Sequence, residues 1–128
     1  NAGFTRAAAP FRPTAPNAAT QHAAAQRADP NSLFHHYRGL LALRQQQRAL
    51  RSGSYEGVQV EGPVLSYLRR SGGETLLVAL NYSAQPQSLN RPERDARAVR
   101  VWPEAAPSLP AGVLPAWGAQ AWLLEPGE

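Results

Sequence analysis

Residues Asp29–Tyr55 read DPNSLFHHYRGLLALRQQQRALRSGSY, and the fold is read outward from this stretch. Leu33, Tyr37, Leu40 and Leu41 recur at steps of three and four, with Phe34 and Leu43 beside them. That spacing lines one face of a helix. Asp29 suits the N-cap, where a carboxylate accepts from the free N–H groups of the first turn. Pro30 suits the first helical position, because its missing donor costs nothing there. Gly53 suits the stop. The pattern predicts one long amphipathic helix over 29–52. Arg38, Arg44, Arg48 and Arg51 read as its solvated face.

From Tyr55 the apolar period changes to two. Strands are predicted near 55–60, 64–70, 74–82, 86–90, 97–102, 112–115 and 118–125. The segment Arg70-Ser71-Gly72-Gly73-Glu74 carries two glycines, which tolerate positive φ, and joins the second strand to the third as a hairpin. Leu76 to Leu80 (LLVAL) is an unbroken apolar run, as expected of a strand covered on both faces. Short strands with Gly, Pro and Asn breaks, and no second helix among them, predict a mainly β fold. Its form is a small antiparallel Greek-key β-sandwich preceded by the helix.

Upstream of Asp29 the chain is rich in Ala, Pro, Asn and Gln. Pro10, Pro13 and Pro16 argue against a regular element there, so 1–28 is expected to be irregular. Phe4 and Phe11 have nothing near them in sequence to pack on, which places their partners elsewhere. The expected organisation is 1–28 irregular, 29–52 helix and 53–128 β-sandwich.

Composition narrows the function. The chain has 128 residues and no cysteine, which removes disulfides and thiolate metal sites. All 13 basic residues are arginine, and the net charge is +4. The arginines are scattered rather than gathered on one patch, so nucleic acid is not an expected partner. No stretch approaches the about 20 apolar residues that a membrane span requires, so no membrane association is expected. Methionine is absent and the chain opens on Asn1, so a longer parent polypeptide is expected.

The candidate chemistry is sparse. Sugar cleavage needs two facing carboxylates. Asp29 is expected to cap a helix, Glu74 flanks a hairpin, and Glu93 and Asp95 lie in a polar loop. With Glu56, Glu61, Glu104, Glu125 and Glu128 they read as surface charge, and no catalytic residue is assigned. His35 and His36 are adjacent, so on a helix they point about 100° apart and do not share an ion comfortably. With His22 they read as packing or surface groups. No metal site and no cofactor is expected. Trp102 and Trp117 are the candidate glycan contacts, because a flat aromatic face matches the axial C–H groups of a pyranose. The competing reading for both is core or interface packing. Trp122 alternates with Leu124 and reads as core. No Gly-rich phosphate loop and no G-x-S-x-G nucleophile turn is present.

Several stretches in order resemble the C-terminal end of family-13 glycoside hydrolases, the α-amylase superfamily, in its α-glucosidase and oligo-1,6-glucosidase branch. These are Asn1-Ala2-Gly3-Phe4-Thr5, Pro10-Phe11-Arg12-Pro13, Ala24-Ala25-Gln26, the helix from Asp29-Pro30-Asn31-Ser32-Leu33 to Gly53, Leu77-Val78-Ala79-Leu80-Asn81-Tyr82-Ser83, and Leu114-Pro115-Ala116-Trp117-Gly118-Ala119. Phe11 stands where the family more often has Trp, and His22 stands where an Asn is usual before Ala-Ala-Gln.

The resemblance implies a parent enzyme with a (β/α)8 barrel and its active site at the C-terminal face. It implies retaining cleavage of α-linked glucosides by an Asp nucleophile and a Glu acid/base, neither of them on this chain. On that reading 1–28 belongs to the last barrel loop and 29–52 is the last barrel helix. The sandwich stabilises the barrel, and Phe4 and Phe11 are substrate-rim candidates in a supporting role. The implied partners are the catalytic barrel and, through it, an α-linked oligosaccharide. The isolated chain is expected to be inactive, and its uncovered helix face to invite a dimer. The alternative is a non-catalytic β-sandwich that binds α-glucan itself.

Overall fold

The computed structural model describes residues 5–91, 97–103 and 112–125. The chain divides into two compact units, residues 1–42 and 43–128.

The first unit holds a short helix, α1 (Ala23–Ala28), and most of a second, α2 (Leu33–Gln46). The helix over 23–28 falls where an irregular segment was expected. Its sequence, AAAQRA, is made of strong helix formers. The Nδ1 of His22 accepts from the N–H of Ala25 at 3.3 Å and caps it. Asp29 does not begin the long helix. Its own N–H donates to the Ala25 carbonyl, closing α1, while its carboxylate accepts from the N–H of Asn31 at 2.9 Å. The first turn of α2 is served instead by Gln26, whose Oε1 accepts from the N–H of Phe34 at 3.0 Å. Leu33, Tyr37 and Leu41 are exposed along α2.

The single helix expected over 29–52 is replaced by two. Gln47 takes extended dihedrals (φ −95°, ψ 112°), and a third helix, α3 (Arg48–Ser52), follows it. The break has a tertiary cause. Ala49 is fully buried, and its N–H donates to Glu74 Oε1 at 2.7 Å, a partner 25 residues away. Packing against a strand hairpin overrides the local periodicity.

Among the described residues, the second unit holds seven strands: β1 (Ser54–Glu61), β2 (Val64–Ser71), β3 (Glu74–Asn81), β4 (Gln87–Ser88), β5 (Arg97–Trp102), β6 (Val113–Leu114) and β7 (Ala119–Glu125). Five form one antiparallel sheet in the order β1-β2-β3-β7-β5, and β4 pairs with β6 in a second, small sheet. The fold is mainly β and antiparallel, as the alternating pattern required, with strand bounds close to those read from sequence. The β2–β3 turn holds Gly72 and Gly73 at φ 58° and 84°, the left-handed region that the two glycines permit.

Register decides which side chains meet. Leu68 pairs with Leu77, and Leu77 with Trp122. One face of the sheet therefore gathers Val64, Leu68, Leu77, Ala79, Trp122 and Leu124 into a core that Leu114 of β6 closes. The opposite face carries Leu76, which is also fully buried. Helix α3 packs against β2 and β3. Burial of consecutive residues, Leu76 and Leu77, is what the LLVAL run implied. At the outer edge, β1 is exposed along its whole length and its register slips between Glu56 and Gln59, with Gly57 at φ 55°.

Candidate functional site

Phe4 lies outside the described residues. Phe11 is fully exposed, in a segment of bends that precedes α1. The two tryptophans singled out as sugar contacts have different settings. Trp102 is half-buried at the end of β5, paired in register with Ala121. Trp117 is 70% exposed, in the turn that leads into β7. Trp122 is buried in the core, as its alternation with Leu124 indicated.

The turn that carries Trp117 is fixed from below. Asn81, buried at the end of β3, donates from Nδ2 to the Gln85 carbonyl at 2.7 Å and to the Pro115 carbonyl at 2.9 Å. Its Oδ1 accepts from the N–H and the hydroxyl of Ser83 at 3.0 and 2.8 Å. The N–H of Trp117 donates to the Ser83 carbonyl, and the N–H of Asn81 to the Gly118 carbonyl. Trp117 itself sits at φ 53°, a conformation that a bulky residue rarely adopts. Asn81 was not singled out by chemistry. Its signal was a lone amide closing an apolar strand, where a buried polar group requires partners.

The described carboxylates are engaged in local structure. Glu56 pairs with Arg70 at 3.3 Å and accepts from the Ser54 hydroxyl. Glu125 pairs with Arg97 at 3.2 Å. Glu61 accepts from Asn90 Nδ2 at 3.2 Å. Glu74, read from sequence as surface charge, holds α3. Glu93, Asp95, Glu104 and Glu128 lie outside the described residues. His35 Nε2 meets the Arg27 carbonyl at 3.0 Å, and His36 stands edge-on to Tyr37. Among the described residues, no cluster of three or more His, Cys, Asp or Glu could hold a metal. A cavity of about 410 Å³ in the first unit is lined by Gln26, Asp29 and Ser32 among others. Gln26 Oε1 and Asp29 Oδ1 serve the bonds already described, and the Ser32 hydroxyl donates to the Gln26 carbonyl at 2.5 Å.

A broader feature is the sheet face that bears Leu76. Alternation and register put Tyr55 and Val60 of β1, Leu65 and Tyr67 of β2, Val78 and Leu80 of β3, Leu123 of β7 and Val99 of β5 on it. Tyr55, Val60 and Val99 are exposed, Val60 at 71%. The rings of Tyr55 and Tyr67 lie 4.5 Å apart. Burial pushes the Tyr67 phenol above its ordinary pKa; Tyr55 adds to the rise, Arg69 opposes it, and Tyr82 adds a further part. The folded phenol therefore holds its proton more tightly than the unfolded one, which ionises near 10. The resulting stability is complete below about pH 10 and is lost as pH rises through the folded value. Titration by ultraviolet difference absorbance should show one late-ionising tyrosine, removed by Tyr67→Phe.

A model of the maltogenic amylase C-terminal domain family matches residues 55–112. The chain is 36% identical to the oligo-1,6-glucosidase of Parageobacillus thermoglucosidasius over 94 residues, 73% of this chain and 16% of that protein. It is 33% identical to a probable alpha-glucosidase of Rhizobium meliloti (strain 1021) over 118 residues, 91% of this chain and 21% of that one. This chain belongs to the α-amylase superfamily, glycoside hydrolase family 13. The crystal structure of trehalulose synthase MutB from Pseudomonas mesoacidophila MX-45 superposes on 91% of the family-13 chain with a TM-score of 0.74 and 30% identity, using 22% of its own length. The chain thus spans about a fifth of the length of the relatives it matches.

Proposed function

We propose that this chain is the non-catalytic C-terminal module of a retaining family-13 enzyme that acts on α-linked glucosides, and that it stabilises the catalytic barrel. The observation that carries the reading is the match itself. It covers 91% of the chain against an alpha-glucosidase and a trehalulose synthase while taking up about a fifth of either protein. The commitment of the described carboxylates to caps and ion pairs supports it, because retaining cleavage needs two carboxyl groups about 5 Å apart across the bond. The domain bounds proposed are 1–28 for the last barrel loop, 29–52 for the helical segment and 53–128 for the sandwich. Phe4 and Phe11 are proposed to support the rim of the sugar pocket. The exposed Leu33, Tyr37 and Leu41 of α2 are proposed to face the barrel, or a second copy of the chain when the barrel is absent.

The purified 128 residues should release no nitrophenol from 4-nitrophenyl α-glucoside. Steady release that a single Glu→Gln or Asp→Asn exchange abolishes would overturn the proposal. A second reading, direct α-glucan contact through Trp117 with Trp102, rests on the exposure of Trp117. Retardation of the chain in a starch gel, lost in Trp117→Ala, would establish it.

A further inference from the structure

We infer that the turn at 115–118 presents the Trp117 indole as a fixed platform on which a neutral α-linked glucan chain stacks. The inference rests on the function proposed above and narrows its glucan reading to one aromatic residue. The Gly118 N–H donates to the Pro115 carbonyl at 3.0 Å and closes a four-residue turn whose third residue is Trp117. Its φ of 53° is one that glycine or asparagine adopts at that position and tryptophan rarely does. The indole returns little to the fold, since the residue is 70% exposed. A glycine would hold the same turn without the strain. An exposed aromatic residue held in a sparsely populated conformation points to use in a contact.

The surroundings keep the turn in place. Asn81 Nδ2 donates to both the Gln85 and the Pro115 carbonyls, so one buried amide ties the turn to the loop across from it. The Trp117 N–H adds a bond of 2.9 Å to the Ser83 carbonyl. A Cβ at Gly118 would strike the Pro115 ring and carbonyl, so the turn closes tightly behind the tryptophan. The platform is therefore ordered before a ligand arrives, which reduces the entropy lost on binding. Its chemistry selects the ligand class. Residues 75–90 and 112–124, which include both loops, carry no Asp, Glu, Lys or Arg. Such a surface suits a polyol, with C–H faces for the ring and hydroxyls for amides, better than an ion or a charged protein. Gln85 is exposed beside the turn and offers an amide of that kind.

The test is nuclear magnetic resonance of the isotope-labelled chain, in which Trp102, Trp117 and Trp122 each give one indole N–H signal. Maltoheptaose or isomaltohexaose at about 20 mM should move the Trp117 signal and leave the other two in place. Trp117→Gly identifies that signal by deleting it. The same variant should melt within about 3 °C of the native chain, because relief of strain offsets the lost contact. Its affinity for dextrin, read by retardation in a gel, should nevertheless fall at least about tenfold. Gln85→Ala should weaken retardation about threefold. A Trp117 signal that neither sugar moves would overturn the inference, and so would movement of Trp102 alone. The proposed non-catalytic role stands in both cases, because it fails only on hydrolysis of 4-nitrophenyl α-glucoside. A fall in melting temperature of more than about 8 °C in Trp117→Gly would make the indole part of the chain's own packing and overturn the inference as well. A Trp117 signal that moves with protein concentration in the absence of sugar would assign the turn to a second copy instead.

Discussion

Leu77→Ala should lower the unfolding free energy of the isolated chain by about 3–4 kcal/mol, read as a shift of the urea midpoint at unchanged slope. Leu77 is fully buried at the centre of the core face, paired with Leu68 on one side and Trp122 on the other, among Val64, Ala79, Leu114 and Leu124. Removing its isobutyl group leaves a hole that strands locked in register do not collapse to fill. A domain of this size has about 5–15 kcal/mol of stability in all, so the variant should stand close to unfolding at physiological temperature. Val60→Ala, on the exposed edge strand, should move the midpoint by less than about 0.5 kcal/mol. Equal effects at the two positions would mean that the core is not where the register puts it.

The second large effect is expected at Asn81. Asn81→Leu keeps the heavy-atom branching and removes every polar atom of the side chain. The amide of Ser83 then loses its acceptor, and the carbonyls of Gln85 and Pro115 each lose a donor. Unpaired buried groups cost about 1–3 kcal/mol apiece where no water reaches them. Gln85 and Pro115 keep a second donor each, from the Ser83 hydroxyl and the Gly118 N–H, which holds the net cost to about 3 kcal/mol. The turn bearing Trp117 should loosen with it, and tryptophan emission should report this before global unfolding. A change of midpoint below about 0.5 kcal/mol would show that the amide is idle.

The strands were legible because their signal is local. Alternation from Tyr55 onward, the Gly72-Gly73 pair and the LLVAL run each specify something that neighbouring residues alone decide. The family was legible in the order of several weak motifs. The helix was misread at both ends for one reason. Asp29 is a good cap in isolation, but Gln26, reaching forward from α1, supplies the acceptor instead. Leu50 continues the apolar stripe, but Ala49 must turn onto the hairpin to meet Glu74. Neither partner is visible at helical spacing. Among the proposed contacts, Trp117 was left between sugar contact and core or interface packing, and it is exposed. The sheet face that bears Leu76 could not be read from one strand at a time, because it exists only once five strands are in register.

The slip in β1 has a bearing on how the exposed edge of the sheet is tolerated in water. A sheet with a regular outer strand invites another chain to add itself edge to edge. Gly57 interrupts the row of outward N–H and C=O groups, and the carboxylates of Glu56 and Glu61 flank the break. An incoming strand would meet mismatched spacing, so fibril growth along that border is disfavoured.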